Sequence, residues 1–155
     1  MTRDPGQKTP IARNRRAFHD FEILEKVEAG LVLQGTEVKS LRAGNVSFND
    51  AHARVRNGEV WLHGLHIAPY ACGNSWSQHE PTRPRKLLLR KSEIRKLSAK
   101  VDRQGLTLVP LDLYFRRGYA KLTLGVGRGR KKHDKRQALR EKQDKLAMAR
   151  EARRR

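Results

Sequence analysis

The side chains best suited to acid–base chemistry in this sequence are histidines: His52, His63, His66, His79 and His133. None of them comes with a nucleophile or a metal partner at motif spacing. No HExxH, GxSxG, Walker A or paired-cysteine pattern occurs in the chain. Cys72 is the only cysteine, so it makes no intrachain disulfide, and one thiol cannot build a zinc site alone. His52 and His63 can face each other across Asn57-Gly58, but isolated histidines on a basic surface more often stack or hydrogen-bond than catalyse. The pattern points away from an enzyme, and nothing in it implies a metal or an organic cofactor.

The chemistry the chain does offer is cationic. Its 155 residues hold 35 Lys or Arg against 16 Asp or Glu, a net charge of +19. Such an excess works against compactness through self-repulsion, and a polyanionic partner is the usual reason to tolerate it. Nucleic acid is the first candidate. No apolar run approaches the roughly 20 residues of a spanning helix, and no apolar stretch follows the N-terminal basic residues as a secretory signal would. A cytoplasmic protein without a membrane partner is the expectation.

The charge is unevenly placed. Residues 128–155 carry thirteen Lys or Arg and four Asp or Glu, nearly half of the net charge. Helix formers dominate from Gln137 onward, but Leu139, Leu146 and Met148 are too few to make a broad face. This tail is expected to be disordered or helical, and to order fully on a phosphate-rich partner. Fully helical, it would span about 42 Å. At the other end, residues 1–13 read as a flexible arm, with Arg13, Arg15 and Arg16 as available phosphate contacts.

The elements between must position whatever binds. Strands are expected near Phe21–Lys26 and Leu31–Gln34, with a turn at Glu28–Gly30. A short helix follows, capped by Thr36, without a capping box because Lys39 stands at the third place, and closed by Gly44. Asn57-Gly58 is a strong hairpin signal between AHARVRN and EVWLHGLHI. Residues 69–86 read as a loop, and a strand at Lys86–Arg90 precedes a helix capped by Ser92 that ends near Leu97 or Lys100. The Leu106–Phe115 stretch alternates with one slip at Pro110, which implies an edge or a bulge. Arg117-Gly118 turns the chain into YAKLTLGVG. The fold class is therefore mainly β: an OB-like antiparallel barrel over residues 14–127 with short flanking helices, plus the basic tail at 128–155.

Single residues stay open at this level. Glu28 either solvates its turn or accepts hydrogen bonds from base donors, and Asn14 carries the same ambiguity. Trp61, in a strand, reads as packing, whereas Trp76 sits in the polar loop as an interaction residue. His133 is either a loose tail residue or an aromatic ring beside phosphate-binding cations, suited to stacking on a base. Arg15, Arg16, Lys39, Arg42, Arg85 and Lys86 are the candidate RNA-binding cations of the barrel.

Long motifs then narrow the reading. They are NRRAFHDF at Asn14–Phe21, EAGLVLQGTEVKSLRAG at Glu28–Gly44, HIAPY at His66–Tyr70 and RPRKLLLRKSEI at Arg83–Ile94. GLTLVPLDLYF at Gly105–Phe115 and AKLTLGVGRGRKKHDKR at Ala120–Arg136 complete the set. From Asn14 to Arg136 the sequence resembles the SsrA-binding protein family, also called small protein B. The resemblance implies an OB-like barrel that binds the tRNA-like domain of transfer-messenger RNA. It implies delivery of that RNA, with elongation factor Tu, to the A site of a stalled 70S ribosome for trans-translation.

The resemblance also implies residue roles. Glu28 matches an RNA-elbow contact and Asn14 its companion. Leu88 matches a further contact to the tRNA-like domain, either structural or packed on a base. Gly129 matches a hinge before the tail, and Arg130 falls in its first stretch. Lys131, Lys132 and Asp134-Lys135-Arg136 match its functional start. His133 matches a residue that stacks in the decoding centre of the small-subunit rRNA, while the tail probes the empty messenger channel. Arg128 and Arg130 stand where the family often has lysine, so their contacts differ in detail. Residues 151–155 carry no transferable role. The rival readings are a general RNA-binding OB module and a structural ribosomal protein with a threaded tail.

Overall fold

The computed structural model describes residues 7–70, 78–130 and 132–153. Cys72, Trp76 and Lys131 lie outside the described residues. In chain order the elements are β1 (Thr9–Arg13), α1 (Arg15–Asp20), β2 (Phe21–Leu31), α2 (Gly35–Arg42) and β3 (Val46–Ser47). Then come β4 (His52–Arg56), β5 (Glu59–His63), β6 (His66–Ile67), β7 (Arg85–Leu88) and α3 (Lys91–Gln104). The series closes with β8 (Thr107–Arg116), β9 (Tyr119–Gly129) and α4 (Lys132–Arg153). The main sheet runs β1-β8-β4-β5-β7-β2-β9, and an additional β8–β9 pairing closes β8 through β9 into a barrel, with β1 as a further strand on β8. Every pairing is antiparallel, and β3 and β6 form a separate small ladder. The mainly β, OB-like expectation holds.

Alternation builds the core. Leu122, Leu124 and Val126 of β9, Leu108 and Leu113 of β8, Val60 and Leu62 of β5 and Leu87 of β7 point inward and are almost fully buried. Each such side chain contributes about 1.5–3 kcal/mol of burial. Both hairpin turns are as expected: Asn57-Gly58 and Arg117-Gly118 have positive φ at both central positions, the geometry that matches strand twist. Pro110 sits at a register shift before Asp112, which is the bulge anticipated there.

That bulge creates a second, smaller core on the outside of the barrel. It lifts Leu111 over Gly125, where an added Cβ would lie 2.7 Å from Leu111 Cδ1. Ala17 of α1 packs with Val109 and Leu111, and Phe18, Phe21 and Ile23 cover the edge. The missing side chain on β9 is thus what lets α1 dock.

Five local expectations are corrected. Residues 1–13 are not wholly a loose arm: Thr9–Arg13 forms β1 along β8, from Thr9 opposite Phe115 to Arg13 opposite Asp112. The open edge of β8 that receives it is invisible to local sequence. Glu28–Gly30 is no turn but the interior of β2, which pairs with β9 on one side and β7 on the other. Gly30 serves close approach there, since a Cβ on it would lie 3.2 Å from Leu88 Cβ. The N-cap of α2 is Gln34 instead of Thr36, and its N–H donates to Glu37 Oε1 at 2.8 Å, as a capping-box acid requires. The N-cap of α3 is Arg90 instead of Ser92, and the helix runs on to Gln104 because Ile94, Leu97 and Val101 keep one face on the barrel. Finally β9 extends through Gly129, which pairs with Phe21. Arg128 and Gly129 therefore belong to the sheet, and Gly129 closes a ladder where a hinge was expected.

Candidate nucleic-acid interface

Cross-strand register assembles one outer face from four strands. Leu88 of β7 lies opposite Gly30 of β2, Gly30 opposite Lys121 of β9, and Lys121 opposite Tyr114 of β8. Glu28 shares the Gly30 face of β2, two residues away. The structure therefore brings Glu28 and Leu88, 60 residues apart in sequence, into one patch. Leu88 is 54% exposed. Its side chain rests over Gly30 and presents its far side outward, as an apolar surface on a basic protein.

Glu28 is held by long-range partners. The Tyr114 hydroxyl donates to its carboxylate, and Arg116 Nη1 lies 3.3 Å from the same oxygen. The Tyr114 bond and the Arg116 and Lys121 charges outweigh burial and hold the carboxyl below its ordinary value. Burial and the Glu28 bond push the Tyr114 phenol up to about 12. Lys8 Nζ sits 4.7 Å from the Tyr114 ring centre. The result is an ionised, partly exposed acceptor fixed within a ring of cations. Such a group accepts from base amino or imino donors while its neighbours neutralise phosphates.

Beside this patch, α1 carries Arg15 and Arg16 on its exposed side, with Arg16 Nε 3.4 Å from Asp20. Arg13 and Lys26 flank the Phe18 ring at 4.8 and 5.5 Å. Lys39 and Arg42 stand elsewhere, on α2, over Tyr70 at 5.4 Å and Phe115 at 5.6 Å. Tyr114 and Phe115 point to opposite faces of β8, so the α2 cations do not join Glu28. Lys86 does lie on the outer face, but its ammonium pairs with Glu59 at 3.1 Å.

Two candidate contact residues prove structural. Asn14 is 8% exposed. Its Oδ1 accepts from Ala17 N at 3.2 Å, capping α1, and its Nδ2 donates to the Pro110 carbonyl at 2.9 Å. Asn14 thus locks α1 to the bulge and positions Arg15 and Arg16 without facing solvent itself. Arg85 is fully buried. Its Nε donates to Glu37, its Nη1 to the Leu65 carbonyl at 2.6 Å and its Nη2 to the Pro81 carbonyl at 3.0 Å. Arg83 adds a bond to Glu37 at 2.5 Å. Burial pushes the Glu37 carboxyl up, but the Gln34 N–H and the two guanidiniums more than offset it, and it stays below its ordinary value. His79, named above among the candidate bases, is buried between Thr36 Oγ1 and the Ile67 carbonyl, at 2.9 and 2.8 Å. This cluster pins residues 78–85 to α2.

The remaining candidates lie on the tail. Arg130 N–H donates to the Asp20 carbonyl at 2.9 Å, tying the start of the tail to α1. Lys132, His133, Asp134, Lys135 and Arg136 open α4, a helix of 22 residues. Every described side chain of α4 is exposed, including Leu139, Leu146 and Met148. Sequence reasoning missed Tyr114, Arg116 and Lys121 as partners of Glu28. The alternation of Asp112, Tyr114 and Arg116 against buried Leu113 was the available signal, since it sets these polar residues on one outer face. No described helix is long and apolar enough to cross a membrane.

Comparison with known proteins places this geometry. The family model described as SmpB protein matches residues 11–154. An SsrA-binding protein of Bacillus cytotoxicus is 54% identical over 145 residues, which are 94% of this chain and 93% of the relative. One from Thermobifida fusca is 55% identical over 150 residues, 97% of this chain and 92% of the relative. A chain from a solved structure described as "tmRNA-SmpB: a journey to the center of the bacterial ribosome" superposes with a TM-score of 0.68. It is 53% identical and covers 85% of this chain and 96% of its own. The likeness extends along nearly the whole length, and the chain belongs to the SmpB protein family.

Proposed function

We propose that this protein binds the tRNA-like domain of transfer-messenger RNA through the Glu28–Leu88 face, with Arg15 and Arg16 on adjoining phosphates. It then delivers that RNA, with elongation factor Tu, to the A site of a stalled ribosome in the cytoplasm. The protein is an RNA adaptor and not an enzyme. The observation that carries this reading is the ionised Glu28, fixed by Tyr114 and Arg116 beside the exposed Leu88. A preset acceptor next to an apolar step suits unstacked bases at an RNA elbow, where both edges and faces are open.

The tail has a separate task. Every described side chain of its helix is exposed, and its exposed cations match a phosphate-lined channel. In this reading α4 enters the messenger channel only when the channel is empty, while His133 stacks in the decoding centre. A message in place excludes the helix by volume and by occupying the same phosphate-facing surface. Activity is thereby confined to ribosomes that have run out of message.

The test is peptide tagging on ribosomes stalled on a truncated message, with alanyl transfer-messenger RNA and elongation factor Tu supplied. A chain ending after Arg130 keeps β9 and the Arg130–Asp20 bond. It is expected to bind the RNA like the full chain and to fail in tagging. Tagging at the full-length rate would remove the tail mechanism, and loss of RNA binding would move the RNA contact from barrel to tail.

A further inference from the structure

The β4–β5 hairpin carries a second set of side chains suited to RNA, away from Glu28. Ala53, Val60 and Leu62 face the core. Alternation therefore sends His52, Arg54 and Arg56 of β4 and Glu59, Trp61 and His63 of β5 to the outside. Register lines them up in rows. His52 lies opposite His63, and Arg54 opposite Trp61, which in turn lies opposite Lys86 of β7. Three strands thus present a cation, an indole and a cation in one row. Arg54 and Arg56 are exposed and Trp61 is half-buried, so the indole is anchored yet open to contact. In the next row the two imidazoles stack with centres 5.5 Å apart and 18° between planes. His52 Nδ1–H donates to the Asp50 carbonyl at 3.1 Å, which leaves Nε2 for a ligand.

We propose that this hairpin face is a second RNA site that takes an unpaired nucleotide, with the base stacked on Trp61 and its flanking phosphates on Arg54, Arg56 and the His52–His63 pair. The proposal rests on the reading of the chain as RNA-binding, but not on the identity of the tRNA-like partner. Single-stranded RNA is the occupant because stacking on an indole needs a free base face, which a duplex withholds. Charge complementarity points the same way. The one acid in these rows, Glu59, is already paired with Lys86, so Arg54 and Arg56 remain to meet an anion.

His63 of this pair makes the site sensitive to protons. The groups around it are Arg54, Arg56 and Glu59 on the hairpin, Lys86 on β7, and Asp102 of α3 across the cavity that His52 lines with Thr107 of β8. Burial first, then the charges of His52, Arg54 and Arg56, hold His63 below its ordinary value. A phosphate at the pair reverses that local field. Binding then takes up a proton and tightens as pH falls.

The experiment uses the full chain with Trp76→Phe, which leaves Trp61 as the one indole. Its fluorescence is followed as a short single-stranded oligouridylate is added at fixed salt. Saturable quenching is expected, about threefold to tenfold tighter near pH 6 than near pH 8, one pKa unit of linkage being tenfold. His52→Gln with His63→Gln is expected to flatten the pH dependence while the thermal midpoint holds. Arg54→Ala, read with a labelled oligonucleotide, is expected to weaken binding about tenfold, the scale of a charge-assisted contact. Absence of quenching, or equal quenching by duplex RNA, would overturn the proposal. Glu28→Gln separates the two sites. If it leaves the tRNA-like domain bound as before while Trp61 is still quenched, the Glu28 reading fails and this one stands.

Discussion

The barrel face and the tail helix are both basic, but they are held in opposite ways. On the barrel, Glu28 is fixed by Tyr114 and Arg116, which lie 86 and 88 residues away in sequence. Asn14 is locked to Pro110 across 96 residues. In α4 every described side chain is exposed, and just before it the Arg130 N–H donates to the Asp20 carbonyl of the barrel's α1. The barrel therefore presents a preorganised surface, whose ordering cost was met on folding. The described side chains of the tail helix gain no such support from the barrel. The proposed function, firm hold on one RNA and conditional entry of the tail into a second surface, uses both kinds of element.

Removal of α4 gives the sharpest test of this contrast. A chain ending after Arg130 should lose tagging by at least about a hundredfold, on the scale of several lost phosphate contacts. Its denaturation midpoint in urea should stay that of the full chain. A large fall in that midpoint would show that the tail packs on the barrel after all.

Arg85→Ala tests the opposite limit, because it removes the fully buried guanidinium beside Glu37, leaves that carboxylate with the Arg83 guanidinium alone, and strips the Leu65 and Pro81 carbonyls of their donor. The expected cost is about 3–5 kcal/mol, typical of breaking a buried pair, read from urea unfolding. Leu139→Ala in the tail should change stability by less than about 0.5 kcal/mol, as for an exposed site. Similar costs for the two would abolish the distinction between the regions.

Glu28→Gln should lower affinity for the tRNA-like domain about tenfold to a hundredfold. That corresponds to about 1.5–3 kcal/mol for a hydrogen bond to a charged group. Stability should change much less, since the carboxylate is partly exposed. Filter binding and thermal melts on the same variant separate the two effects.

Acid gives the smallest and most graded difference. The folded-state values of Glu28 and Glu37 are both below the ordinary 4.5. The stability they contribute is full above that value and is lost as pH falls through the lowered ones. Near-ultraviolet circular dichroism should therefore show the barrel weakening below about pH 4.5. Tryptophan signals that hold to lower pH in Glu37→Gln than in the parent would contradict the role given to Glu37.

Much of the barrel could be read along the chain. The Asn57-Gly58 and Arg117-Gly118 turns, the alternation of Ala120, Leu122, Leu124 and Val126, and the slip at Pro110 are local signals, and each appears in the fold. Glu28 and Leu88 were singled out from motifs, and their adjacency came from the register of β2 and β7. Arg85 misled because it stands in a basic run with Arg83 and Lys86. Its partner Glu37 lies 48 residues away, and no local pattern announces a buried pair at that distance. Asn14 misled for a related reason, since a side chain that caps a helix and one that contacts RNA use the same amide.

By itself, then, the sequence determined the period-two strands, the turn residues, the charge excess and the separation of a basic tail from a β domain. All of these follow from neighbours along the chain, where side-chain alternation and backbone preference act. The tertiary structure alone decided which cations remain free and which are consumed. Arg85 is sealed inside with Glu37, and Lys86 one residue on lies outside against Glu59. It also decided that Gly30 and Gly125 mark close contacts and not turns. These outcomes depend on strand register and on the closing of β8 onto β9, which bring distant residues within bonding range and are fixed only when the whole barrel packs.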